Sequence, residues 1–225
     1  LRGSYTSAVT VGIGLSGRQL MEEVRQSQLV DRMIRGARLE RTLYTEVSAD
    51  VRASRQAVLV VVTAAVASAI AYFVSRLFSP LELFGASVAG SDVGTFSGDL
   101  VTDGLVVGLI VSPTLSIIGW LAWSAVAWFV GTRMISTTAQ DVEFMQVARA
   151  MGFAQAPGVI AIITFIPVLG FIIQIGIWLW LLATSFFATR ESMRLTDGQA
   201  LVTMTVGFIA FMIVVLVIGD RKSVV

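Results

Sequence analysis

Long apolar runs alternate along this chain with short polar islands. Residues 1–55 are mostly polar. From about Gly17 to Val47 they read as one amphipathic helix. Val30, Met33, Ile34, Ala37, Tyr44 and Val47 fall near one face by the i, i+3, i+4, i+7 rule. Arg18, Arg25, Arg32, Arg35, Arg38 and Arg41 lie largely on other faces. Such a helix can dock on the rest of the protein. It can also lie in a membrane interface, with Arg25, Arg32, Arg35, Arg38 and Arg41 meeting anionic headgroups, or bind a partner as a coiled segment.

Four apolar regions follow. Gln56–Leu77 carries small residues at Ala64, Ser68, Ala71 and Ser75, a face that lets another helix approach closely. Gly104–Thr132 is interrupted by Pro113, which kinks the segment or marks its start. Ala156–Thr189 carries no charge and would reach about 51 Å as one helix, against a hydrocarbon core about 30 Å thick. Gln199–Gly219 is long enough for one crossing.

Loop charge decides how the overlong run folds. The N-terminal segment holds nine arginines against six acids, whereas 78–103 holds four acids (Glu82, Asp92, Asp99, Asp103) and no Lys or Arg. By the positive-inside rule the N-terminus is cytoplasmic and the acidic loop outside. Arg133 and Arg149 return the next linker to the cytoplasm, as Arg190 and Arg194 do for 190–198. A run that leaves from and returns to one side crosses an even number of times. Pro167 and Gly170 supply a hairpin turn, and the first arm is long enough only if it starts before Pro157, near Met151.

The expected fold is an all-α polytopic membrane helical bundle. Five transmembrane segments (56–77, 104–132, 151–167, 170–189, 199–219) follow the amphipathic N-terminal helix, and a tail of 220–225 ends it. The N-terminus is inside and the C-terminus outside the cytoplasmic membrane. Arg221 and Lys222 are a mild exception to the charge rule.

Composition agrees: 56% of residues are hydrophobic and 14% charged, with a mean hydropathy of +0.83. The net charge of +1 provides no footprint for nucleic acid. Cysteine and histidine are absent, which excludes disulfides, thiolate or imidazole metal sites, histidine-ligated haem and nucleophilic triads built on either residue. Gly12, Gly14 and Gly17 spell G-x-G-x-x-G, yet only helical pattern and a membrane segment follow, so they form a flexible lead-in and no cofactor is expected.

The span interiors lack Asp, Glu, Lys and Arg. Their polar residues (Ser112, Thr114, Ser116, Ser124, Thr164, Gln174) suit helix–helix hydrogen bonds more than an ion path. Trp128 reads as an interfacial anchor; Trp120, Trp123, Trp178 and Trp180 read as deeper packing. Asp92, Asp99 and Asp103 are too widely spaced for a calcium loop. Asp141 and Glu143 share a linker with Arg149 that reads as solvated surface.

"EFMQVARAMGFAQAPGVIAII", "FIPVLG", "IWLWLLATSFFATRE" and "LTDGQALVTMTVG" together resemble the Yip1 domain family, with Gly152, Phe153 and Pro157 in the places of its glycine, aromatic and proline. The lead "YTEVSADVRASRQAVLVVV" is similar to prokaryotic members. The resemblance covers about 44–215 and implies a five-span bundle with a cytoplasmic N-terminus. Eukaryotic members resemble partners of membrane-tethered GTPases and carry an Asp-Leu-Tyr-Gly-Pro-like motif. Here that place reads "ADVRASRQ", so GTPase binding is not carried over.

The leading functional expectation is a non-enzymatic scaffold, membrane-organising protein or accessory subunit. It would work in the lipid bilayer with other membrane proteins, through the small-residue face and the arginine helix. A transporter or channel using the 151–189 hairpin and Gln174 is the alternative, and a lipid-directed enzyme using Asp141 and Glu143 a third reading.

Overall fold

A computed structural model describes residues 17–78, 110–135, 139–166 and 169–220, without the side chains of 17–25, 75–78, 211 and 213–220. Pro167, the acidic loop, Arg221, Lys222 and the side chains of Arg25 and Ser75 therefore lie outside the described residues. The elements are α1 (Gly17–Ala37), α2 (Arg41–Ala49), α3 (Ala53–Phe78) and α4 (Ser112–Phe129), which runs on as a π turn, Val130–Ile135. After them come α5 (Phe144–Phe153), a 3₁₀ segment (Ala156–Ile163), α6 (Leu169–Met193) and α7 (Asp197–Asp220). Among the described residues all regular structure is helical.

Among the described residues four stretches are long and apolar enough to cross a membrane: Ala53–Val74, Ser112–Ile135, Phe144–Ile163 and Leu169–Met193. The fifth expected span, 199–219, lies inside the 24 residues of α7. Pro113 sits in the first turn of α4, directly after a π-helical turn at 110–111.

The single amphipathic helix expected over 17–47 is in fact two. Leu39 adopts φ 62°, and the amide of Glu40 donates to the Arg35 carbonyl at 3.1 Å, closing α1 with a left-handed C-terminal turn. Arg35 Nε pairs with Glu40 across the same turn at 2.9 Å. Apolar spacing continues through the break, so periodicity could not reveal it.

The α6–α7 connection repeats the device. Arg194 has φ 54° and the Leu195 amide reaches the Arg190 carbonyl at 2.9 Å. Thr196 and Gln199 then cap each other's backbone amides reciprocally, at 3.0 and 3.3 Å, to start α7.

The expected third span also begins earlier, at Phe144 instead of Met151, and bends where its proline requires. Pro157 lacks an N–H to give the Phe153 carbonyl, so α5 stops at Phe153 and a 3₁₀ segment carries the chain on. This element is the axis of the protein: every residue from Val147 to Ala154 is buried, and α2, α3, α4 and α6 all pack on it.

Candidate functional site

The axial element carries a charge that apolar patterning hid. Arg149, read from sequence as a surface residue, is 5% exposed. Starting the span at Phe144 places it inside an apolar stretch, which corrects the expectation of charge-free span interiors. Its Nε donates to the carbonyls of Val47 (3.2 Å) and Ser48 (3.1 Å), its Nη2 to Ser48 and its Nη1 to Ser54 Oγ at 3.5 Å. The last carbonyls of a helix have no intrahelical partner and form the negative end of its dipole. A guanidinium with five donors satisfies both needs at the end of α2. Arg149 thus pins the N-terminal helices to the axis of the bundle.

Further bonds complete this seat. Tyr44 is wholly buried and its hydroxyl donates to the Gly36 carbonyl at 3.1 Å; burial raises its pKa above the ordinary tyrosine value. Trp180 Nε1 of α6 donates to the Ala37 carbonyl, the end of α1, at 2.7 Å. Gly36 lies so close to α5 that an added Cβ would stand 3.1 Å from the Phe153 carbonyl.

The arginines divide into two sets. Arg32 turns inward, to Glu46 (2.9 Å), Asp50 (3.0 Å) and Gln56 of α3 (2.6 Å). Arg35 holds Glu40 and Glu46, each at 2.9 Å. Burial would raise the Glu46 carboxyl, but the hydrogen bonds from Arg35 and Arg32 outweigh it and leave the pKa lowered. Hydrogen bonds to Glu40 first, then Glu46, raise that of Arg35. Arg38 is exposed, and Arg41 lies over the Phe187 ring of α6 at 4.9 Å. Of these four arginines, Arg38 and Arg41 face outward.

Gly152 lies against α3: a Cβ there would stand 2.7 Å from the Ala57 Cβ and 3.2 Å from its Cα, so the two helices touch backbone to backbone. Phe153 is fully buried and Pro157 opens the 3₁₀ segment. At the break, Thr184 of α6 donates to the Ala154 carbonyl at 2.7 Å. Gly170 permits the hairpin, since a Cβ there would fall 1.9 Å from the Thr164 carbonyl oxygen.

Part of the small-residue face of α3 packs within the chain. Ala64 and Ala71 are buried, and Ala64 meets the 3₁₀ segment closely enough that a Cβ on Gly158 would lie 3.1 Å from its own. Ala64 and Ala71 of that face therefore serve the chain's own packing, while Ser68 is exposed. Ser68 lines a cavity of about 300 Å³ with Ser112, Ser116, Gln155 and Gln174. Trp120 and Trp128 spend their indole N–H groups internally, on the carbonyls of Ala148 (2.9 Å) and Val142 (2.8 Å). Asp141 and Glu143 are both exposed.

Sequence reading missed Arg149 as a structural lock. The available signal was a lone arginine among small apolar residues, "VARAMGF", just ahead of a proline-broken span.

These helices define an all-α, multi-pass membrane protein. The sequence model of the Yip1 domain matches residues 42–219, most of the chain, and the chain belongs to that family. The match begins in α2, so α1 lies ahead of it. No characterised protein and no solved structure gives a significant match.

Proposed function

We propose that this Yip1 family protein works without catalysis, as a scaffold or accessory subunit of a complex in the cytoplasmic membrane, with its N-terminus in the cytoplasm and its C-terminus outside. The observation that supports this reading is the seat of α1 and α2 on the bundle. Arg149, Tyr44 and Trp180 hold a polar platform in a set position on an apolar body. Arg38 and Arg41 remain on its outer surface to meet an acidic partner or headgroup. A platform already held in place by hydrogen bonds loses little conformational entropy when a partner docks, which favours complex formation.

The test is purification in mild detergent from native membranes, followed by mass spectrometry of what is retained. The intact protein should carry a reproducible set of membrane proteins, and the double substitution Arg38→Glu and Arg41→Glu should release them. Recovery of free protomer alone, with neither protein nor lipid attached, rejects the proposal.

A further inference from the structure

The cavity between α3, α4, the 3₁₀ segment and α6 has the volume of a small-molecule site, at the lower end of the range of about 300–1,000 Å³. No ionisable side chain lines it. A charged ligand would therefore leave water without a counter-ion, at a cost no group here offsets. Its polar groups are neutral and come from three helices and one turn: Ser68 of α3, Ser112 and Ser116 of α4, Gln174 of α6, and Gln155 just ahead of the 3₁₀ segment.

Neither the Gln155 nor the Gln174 carboxamide has a hydrogen-bond partner among the described residues. Each offers two N–H donors and a carbonyl acceptor. In a body embedded in lipid such an amide is costly to leave unpaired. Gly119 helps keep the space open, because a Cβ there meets nothing within 4 Å.

We propose that this cavity binds a neutral amphiphile, whose uncharged headgroup presents carbonyl or hydroxyl oxygens to Gln155 and Gln174. Two sources share that chemistry: a diacylglycerol-type lipid and a quinone with an apolar tail. This inference goes beyond the scaffold reading and does not depend on it.

The full chain, in phosphatidylcholine nanodiscs, is photolabelled with a diacylglycerol carrying a diazirine near its glycerol end. A phosphatidic acid with the same chains and diazirine is the charged comparator. The diacylglycerol should label segments 112–123, 155–161 and 174–181 about ten-fold more than the phosphatidic acid. Gln155→Leu and Gln174→Leu should each lower labelling by about three- to ten-fold, the worth of one hydrogen bond. Gly119→Leu should abolish it by filling the cavity.

Thermal stability of the unliganded glutamine variants should hold or rise, since an unpaired amide is removed, which separates lost binding from misfolding. If the diacylglycerol does not label but decylubiquinone stabilises the wild type and not Gly119→Leu, the quinone is the occupant. Equal labelling by phosphatidic acid, labelling indifferent to Gly119→Leu, or no effect of either neutral probe overturns the proposal; the last result leaves a site for water alone.

Discussion

The two arms of the hairpin, Phe144–Ile163 and Leu169–Met193, are both apolar enough to span a membrane, yet their surroundings differ sharply. Over the eighteen residues of each arm that best match a membrane span, 67% of the first are buried inside the protein and only 22% of the second. The buried arm is built from small residues, with Ala148, Ala150, Gly152, Ala154, Ala156, Gly158 and Ala161 allowing neighbours to close in. The outer arm carries Phe171, Ile172, Ile175, Trp178, Leu179 and Leu182, all exposed on the protein surface. Bulk on that face is compatible with lipid, a fluid solvent that adapts to any shape. Small residues are required where four rigid helices converge. Residue size, more than hydropathy, separates an axial span from a peripheral one.

Arg149→Leu tests the axial arm most severely. It leaves the buried Val47 and Ser48 carbonyls without donors, and hydrogen bonds to a charged group are worth about 1.5–3 kcal/mol each. Unfolding in a detergent titration should show a loss of about 3 kcal/mol or more. A stable, unchanged Arg149→Leu protein would mean that the lock is ornamental.

Paired truncations measure the comparison directly. Met151→Ala, in a side chain 1% exposed, should cost about 2–4 kcal/mol through the cavity it leaves. Leu179→Ala, at a position 63% exposed, should cost less than about 0.5 kcal/mol in the same assay. Equal losses would show that the outer face is covered by something more demanding than lipid.

Acid should touch only the periphery, and gently. Because the Glu46 carboxyl is lowered in the folded protein, its contribution is complete above its ordinary value of 4.5 and is lost as pH falls through the lowered one. Hydrogen exchange, corrected for its intrinsic pH dependence, should show residues 26–40 losing protection below pH 4.5 while 147–153 stay protected. Simultaneous loss in both segments would contradict a separate polar clamp.

Much of this architecture was legible in the residues. The all-α membrane class followed from run length and charge spacing, whereas the first arm was expected to run straight through Pro157, where the structure breaks it. The end of α1 at Leu39 was not legible, because a left-handed turn at a leucine has no compositional signature. Arg149 was misread because its partners, Val47 and Ser48, lie 102 and 101 positions away. The small-residue face of α3 was visible, but what fills it was not.

The sequence by itself therefore determined that the chain lies in a membrane, that it is helical and that its long apolar run bends back. Those properties depend on local hydropathy and backbone hydrogen bonding, which a lipid solvent enforces segment by segment. Only the tertiary structure decided which span is central, which arginines are consumed and where a cavity remains. Each of these is set by groups far apart in the chain that meet only after the helices have packed.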